Sequence, residues 1–200
     1  MDEAIIFSGG EGERRTTRLR KLLKERDILL IPGCFNALSA RLIEQAGFEA
    51  IYVSGAAVAG NFVGVPDIGL TTLTEVLENA RHIVAVTSLP VICDADTGFG
   101  NAVNMLRTVR EFENAGVAGI QIEDQVMPKK CGHTEGKLLI SKEEMVQKIK
   151  AAVDARRDPD FTLVVRTDAI AVNGLEDALD RAQAYLEAGQ DQVYAPTMPM

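Results

Sequence analysis

The chain has no apolar run near the ~20 residues that a membrane-crossing helix needs. It has no excess of basic charge: 21 Lys and Arg stand against 29 Asp and Glu, a formal net charge of −8. That balance argues against nucleic acid or an anionic membrane surface as the main partner. The start, Met1-Asp2-Glu3, is acidic and no h-region follows, so the reading is against a secretory signal. Cysteine is scarce. Cys34, Cys93 and Cys131 are odd in number and widely spaced, which fits reduced thiols in a cytoplasmic protein and not a disulfide framework. No Gly-rich dinucleotide turn follows the first apolar run. Tryptophan is also absent, and that excludes nothing.

What remains is 200 residues, 46% of them hydrophobic, enough for one sizeable core. Residues 1–15 carry little pattern and are expected to form an N-terminal tail; Ser8-Gly9-Gly10-Glu11-Gly12 lacks the Gly-Lys-Ser/Thr of a phosphate loop. From residue 16 a rhythm runs to residue 200. Helices are predicted over 17–26, 36–46, 71–86, 101–115, 141–156 and 175–188, several closed by glycine. Between them lie short apolar runs at 28–31, 50–53, 89–93, 118–122, 161–165 and 192–194. Strands alternating with helices mean a parallel sheet covered by helices. The polar residues follow the strands and do not precede them, which is the catalytic face of a β/α barrel. The expected fold class is α/β, a (β/α)8 TIM-barrel type with only about six strand–helix units in this chain. A doubly wound open sheet is the rival architecture.

The chemistry gathers after the third, fourth and fifth strands. Asp94 and Asp96 stand two apart, so on an extended strand both face one side. Glu123-Asp124 end the next strand. Converging carboxylates suit Mg2+, with Mn2+ as the alternative. The rival reading of Asp96 or Thr97 is a helix N-cap. Lys129-Lys130-Cys131-Gly132-His133 lies on a long connection of the kind that forms active-site lids. Neighbouring lysines are expected to favour the Cys131 thiolate, and His133 adds a further acid–base group. Arg166 at a strand end suits capture of a carboxylate. Tyr52 and Ser54 offer hydroxyls and Gly55 and Ala56 offer open amides, with Asp67 in the next loop. Cys34, Cys93 and His82 are expected to be structural.

These residues together resemble the isocitrate lyase / phosphoenolpyruvate mutase superfamily, and within it the 2-methylisocitrate lyase-like branch. The motifs are Tyr52-Val53-Ser54-Gly55, Asp94 to Gly100, Ile122-Glu123-Asp124-Gln125, Lys129 to His133 and Arg166-Thr167-Asp168-Ala169, and the resemblance covers nearly all of 16–194. It implies a (β/α)8 barrel in a homo-oligomer and a Mg2+-dependent carbon–carbon lyase acting on a small 2-hydroxy carboxylate. It implies that Asp94 and Asp96 serve the metal, with Glu123 helping through water. Ser54, Gly55 and Ala56 are to contact a substrate carboxylate, Arg166 another, and Asp67 the metal or hydroxyl. Lys129 and Cys131 are to sit on a gating loop with Gly132 and His133, Cys131 as general acid. Oxaloacetate hydrolysis or decarboxylation and phosphonomutase chemistry are alternatives on the same site. A Schiff-base aldolase using Lys129 or Lys130, and a non-catalytic remnant, are rivals of other kinds. The chain departs from the family at Thr134, where Leu, Met, Arg or Gln is usual. It departs again at Pro196, in place of a substrate-binding Glu.

Overall fold

The computed structural model describes residues 12–196, so most of the expected tail and its Gly-rich stretch lie outside the described residues. The elements run α1 (Arg15–Glu25), β1 (Gly33–Cys34), α2 (Ala37–Gln45), β2 (Ile51–Val53), α3 (Gly55–Val58) and a π-helical turn (Ala59–Val63). They continue with α4 (Leu73–Ala85), β3 (Val91–Asp94), α5 (Ala102–Asn114), β4 (Gly119–Glu123) and α6 (Lys142–Ala155). The last are β5 (Thr162–Arg166), α7 (Ala169–Val172), α8 (Leu175–Glu187) and β6 (Gln192–Tyr194).

The six strands form one parallel sheet in the order β1-β2-β3-β4-β5-β6. A doubly wound sheet reverses its strand order partway; sequential order is that of a β/α barrel. The helices start where short polar side chains cap them. Asn36, Thr72, Asn101 and Ser141 each accept a backbone N–H from the first turn of α2, α4, α5 and α6. Asn101 is the cap of α5, so Asp96 and Thr97 are free of that duty.

The first strand departs from expectation. The run Ile28–Ile31 is not a strand; pairing begins after it, with Tyr52 N–H on the Pro32 carbonyl and β1 at Gly33–Cys34. Ile28 and Leu30 are mostly solvent-exposed. The run is apolar, but at this edge of the sheet only its alternate members find a core. Strands β3, β4 and β5 each extend one residue further than the apolar pattern indicates, so Asp94, Glu123 and Arg166 lie inside the ladder.

Alternation then sorts the side chains. Val91, Cys93, Ile120, Ile122, Leu163 and Val165 point outward and are fully buried against Val109, Phe112, Met145 and Ile149 of the helices. Each such burial contributes about 1.5–3 kcal/mol. The inward positions Tyr52, Ile92, Asp94, Gln121, Val164 and Arg166 line a central cavity of about 540 Å3. The sheet is therefore not apolar on both faces, as its short runs imply; its inner face turns polar toward the C-terminal strand ends. Helix α1 lies under the other end of the strands, where Leu19 packs with Ala50, Ile92 and Ala118.

Candidate active site

The site is built where three strands end. Asp94 closes β3, and its Oδ1 accepts the Asp96 N–H at 3.0 Å. The chain then turns sharply: Asp96 has φ +48° and Phe99 has φ +58°, backbone that side-chain-bearing residues rarely adopt. Asp94 and Asp96 thus meet through a turn and not by alternation along a strand. The turn is held from behind, where Thr108 Oγ1 donates to Gly98 O at 3.0 Å and the buried Lys148 ammonium donates to Thr97 O. Gly98 has φ +85°, left-handed backbone that favours glycine, and a Cβ there would also press on the Met105 methyl carbon.

Gly55 starts α3 directly against Asp94. Its N–H donates to Asp94 Oδ2 at 3.3 Å, and a Cβ there would lie 2.8 Å from the same oxygen. The Gly55 amide is therefore taken, and of these three residues Ser54 and Ala56 are the ones that line the cavity. Ser54 Oγ in turn accepts from Ala57 N as the cap of α3.

Glu123 ends β4 facing Arg166 of β5, its register partner, with Nη1 3.5 Å from Oε2. Arg166 Nη2 also pairs with Asp168 Oδ1 at 2.8 Å. Asp124 follows Glu123 and points the opposite way. Buried completely, it accepts from Thr167 Oγ1 (2.7 Å), Asp168 N (3.0 Å), Tyr185 Oη (2.9 Å) and Arg181 Nη1 (3.3 Å). It is a structural anchor for α8 and not one of the converging carboxylates.

The Lys129-to-His133 segment is also rearranged relative to expectation. Lys129 is buried, its ammonium paired with Asp67 and lying 2.8 Å from Asp96 Oδ1. Lys130 reaches the Glu135 carbonyl at 3.3 Å. Both ammonium groups are committed away from Cys131, whose Sγ instead lies 3.7 Å from His133 Nδ1. Carboxylates packed this tightly in a buried site need a cation, and Lys129 supplies that charge. Cys131, Gly132 and His133 rim the cavity, and Gly132 lies so close to Arg166 that a Cβ would come within 2.0 Å of Nη2.

The electrostatics follow. Burial and the adjacent Asp96 push the Asp94 carboxyl up to about 6. Burial and Asp94 push Glu123 well above the usual carboxylate range. Burial alone would lower Lys129 and Arg166, but Asp96 and Glu123 respectively outweigh it and hold both firmly protonated. Burial and then Asp94 keep the Tyr52 hydroxyl protonated.

Among the described residues no three acidic, His or Cys side chains converge as a ready metal cage. Mg2+ does not need one, since it typically keeps several waters and uses one or two carboxylates. The donors here are all oxygen, Glu123 Oε1 is buried with no hydrogen-bond partner, and Arg166 Nε is likewise unpartnered. These residues fit a hard divalent cation and an anionic ligand. A larger cleft, about 1100 Å3, lies at the opposite end of the strands, beside Arg14, Arg15 and Asp158. Arg14 and Arg15 there are engaged by Asp158, Asp160 and the Val84 and Thr87 carbonyls, whereas Asp94, Lys129, Cys131 and Arg166 all line the smaller cavity.

Sequence reading brought Tyr52, Ser54, Ala56, Asp67, Asp94, Lys129, Cys131, Gly132, His133 and Arg166 to this one cavity, with Gly55, Asp96 and Glu123 in contact with its walls. It missed Gln125, Lys137 and Lys148, buried polar side chains that hold the surrounding backbone. The signal for Gln125 is its place beside the strand-end acids; the two lysines leave none.

The phosphoenolpyruvate phosphomutase family model matches residues 19–199. A 2,3-dimethylmalate lyase of Eubacterium barkeri is 52% identical over 177 residues, 88% of this chain and 61% of the relative. A 2-methylisocitrate lyase of Aeropyrum pernix is 56% identical over 182 residues, 91% of this chain and 58% of the relative. A crystal structure of a phosphonopyruvate hydrolase complex with oxalate and Mg2+ superposes with a TM-score of 0.85 at 38% identity, over 92% of this chain and 64% of that one. The chain thus spans about three-fifths of the length of the curated relatives it matches.

Proposed function

Because the chain belongs to the phosphoenolpyruvate phosphomutase family, we propose that its cavity cleaves a carbon–carbon bond in a 2-hydroxy di- or tricarboxylate of the methylisocitrate type, with Mg2+ as cofactor. One observation carries the reading. Asp94 and the buried Asp96 and Glu123 lie at or just beyond the ends of β3 and β4, with the Arg166 guanidinium paired to Glu123 and a loop above that presents Cys131.

Asp94 and Asp96 are the residues to hold Mg2+, with Glu123 reaching it through water. When bound, the ion supplies positive charge against the oxyanion character of the hydroxyl and carboxylate. Arg166 takes a substrate carboxylate and is kept charged and aimed by Glu123 and Asp168. The Ser54 and Ala56 edge of the cavity takes a second carboxylate. In the reaction a site base removes the hydroxyl proton, the carbinol becomes a carbonyl, and the bond to the neighbouring carbon breaks. That carbon leaves with the electron pair and needs a proton. In this reading Cys131 gives it and His133 restores the thiol proton, a reading supported by their positions on the cavity rim with Sγ 3.7 Å from Nδ1. The products are an α-oxo acid and a carboxylate. In this reading Lys129 balances the carboxylates and is not a Schiff-base nucleophile.

The test is α-oxo acid release by the purified chain from 2-methylisocitrate and 2,3-dimethylmalate, and oxalate and acetate release from oxaloacetate, each with Mg2+ and with EDTA. Release from either hydroxy acid that stops in EDTA and returns with Mg2+ is the expected result. Oxaloacetate as the sole substrate moves the chain to the hydrolase alternative. EDTA-insensitive release, with a borohydride-trapped adduct at Lys129 or Lys130, sinks the metal reading. A folded chain without turnover on any of the three is the outcome of the non-catalytic alternative.

A further inference from the structure

The connection from β4 to α6 carries Cys131 and His133, and its base is fastened by backbone. Val126 N–H donates to Leu138 O at 2.8 Å, and Ile140 N–H to Asp124 O at 3.0 Å. Its near side is pinned by the buried Lys129 on Asp67 and Asp96, and beyond that point the tip around Cys131 is held to the body of the site by two further buried side chains. Gln125 exchanges hydrogen bonds with Lys130, Nε2 to O and N to Oε1, both at 2.9 Å. Gln125 Nε2 also donates to Asp168 Oδ2 at 3.0 Å. Lys137 is 5% exposed although Gly136 and Leu138 on either side are exposed. Its ammonium donates to the Gly132 carbonyl and lies 3.6 Å from Asp168 Oδ1. The residues on both sides of Cys131 are therefore tied, directly or through one side chain, to Asp168. The same carboxylate holds Arg166.

Burying an ammonium is costly unless it is paired and hydrogen-bonded, and an exposed loop has no structural need for one. We propose that Gln125 and Lys137 form a latch that seats Cys131 at the cavity rim and keys its position to Arg166 through Asp168. Neither touches the cavity's reacting groups; both are positioning residues. With the latch closed, Gly132 rests against Arg166. With it open, Cys131 swings away on a loop whose base stays fixed. The catalytic consequence rests on the lyase reading, but the latch does not.

Thiol reactivity reads it directly, with an internal control. Cys34 and Cys93 are fully buried and Cys131 is partly exposed. Global unfolding exposes all three, whereas release of the latch exposes Cys131 alone. The experiment is iodoacetamide labelling without substrate, followed site by site by peptide mass spectrometry. Lys137→Met should speed Cys131 alkylation about tenfold, as expected for losing one charge-assisted hydrogen bond from a local opening equilibrium. Cys34 and Cys93 should remain protected, and Lys137→Arg should restore most of the protection. If Lys137→Met yields only unfolded chain, with all three thiols reacting, Gln125→Leu takes over the test and must free Cys131 alone. A Cys131 rate unchanged from wild type in folded Lys137→Met, or in Gln125→Leu where that variant stands in, overturns the latch. An inactive wild-type chain that still shows selective release of Cys131 keeps the latch and removes only the lyase reading.

Discussion

Asp124 shows how much one strand-end carboxylate depends on which way it points. Adjacent acids at the end of a strand face opposite sides, so Glu123 enters the cavity and Asp124 leaves it for α8. There it accepts four hydrogen bonds, two of them from Arg181 and Tyr185. Asp124→Ala would strand a buried guanidinium and a buried phenol, and such losses typically cost about 3–5 kcal/mol. Urea unfolding should show that loss, with Asp124→Asn recovering part of it because the amide keeps one acceptor. A loss below about 1 kcal/mol would mean that α8 is not anchored here. The same residues measure what the sequence discloses. Asp94, Glu123 and Arg166 are legible because an apolar run followed by a charge is a local pattern. The roles of Lys129 and Lys137 are not, because each is set by partners distant in the chain, Asp67 and Asp96 for one and Asp168 for the other. Adjacency made Lys129 look like a neighbour of Cys131, when the demand of buried carboxylates for a cation decides its direction.

Helix α1 is an element held by charge as well as by Leu19. Asp158 accepts from Thr16 Oγ1 at 2.7 Å and from Arg14 at 2.8 Å. Burial would raise its carboxyl, but the hydrogen bonds from Thr16 and the Asp160 N–H, with the Arg14 charge, outweigh it and hold it below the ordinary 3.8. A carboxyl depressed in the folded state stabilises it fully above the unfolded value, and that contribution is lost as the pH falls through the folded value. The unfolding midpoint in urea should therefore drop on acidification between about pH 5 and pH 3. Asp158→Asn should flatten part of that drop while lowering stability at neutral pH. A variant curve parallel to wild type would show that α1 is not docked through this carboxyl. Helices of this size were legible to within a few residues, because caps such as Asn36 and Asn101 mark their starts and glycines their ends. The first strand was not. Ile28–Ile31 has strand composition, but pairing starts only at the Pro32 carbonyl and Gly33. Composition does not report where an edge strand meets its neighbour.

At the scale of the molecule the two ends of the sheet differ in how far their acids are balanced by bases. At the N-terminal end, acids meet bases: Asp191 is gripped by Arg20 at 2.8 Å and Arg156 at 2.7 Å, and Arg20 also donates to the Asp160 and Phe161 carbonyls. At the C-terminal end Lys129, Lys137 and Arg166 are outnumbered by Asp67, Asp94, Asp96, Glu123 and Asp168, and Asp94 is held at about 6 by burial and by Asp96. The first arrangement serves stability; the second leaves surplus negative charge, which a bound cation would relieve under the proposed function. The two should separate by mutation. Arg20→Ala should lower the thermal midpoint by about 2–4 °C per kcal/mol lost, while the rise in midpoint on adding Mg2+ survives. Asp94→Asn removes one of the surplus negative charges. It should raise the midpoint in EDTA and abolish the rise with Mg2+, because ligand stabilisation scales with affinity for the folded state. Differential scanning calorimetry of both variants, with EDTA and with Mg2+, reads all four terms. If Arg20→Ala weakened the Mg2+ response as much as Asp94→Asn does, the two ends would be coupled. The carboxylate cluster would then depend on how α1 seats beneath the strands, and the lumen from Leu19 up to Asp94 would have to be treated as one unit.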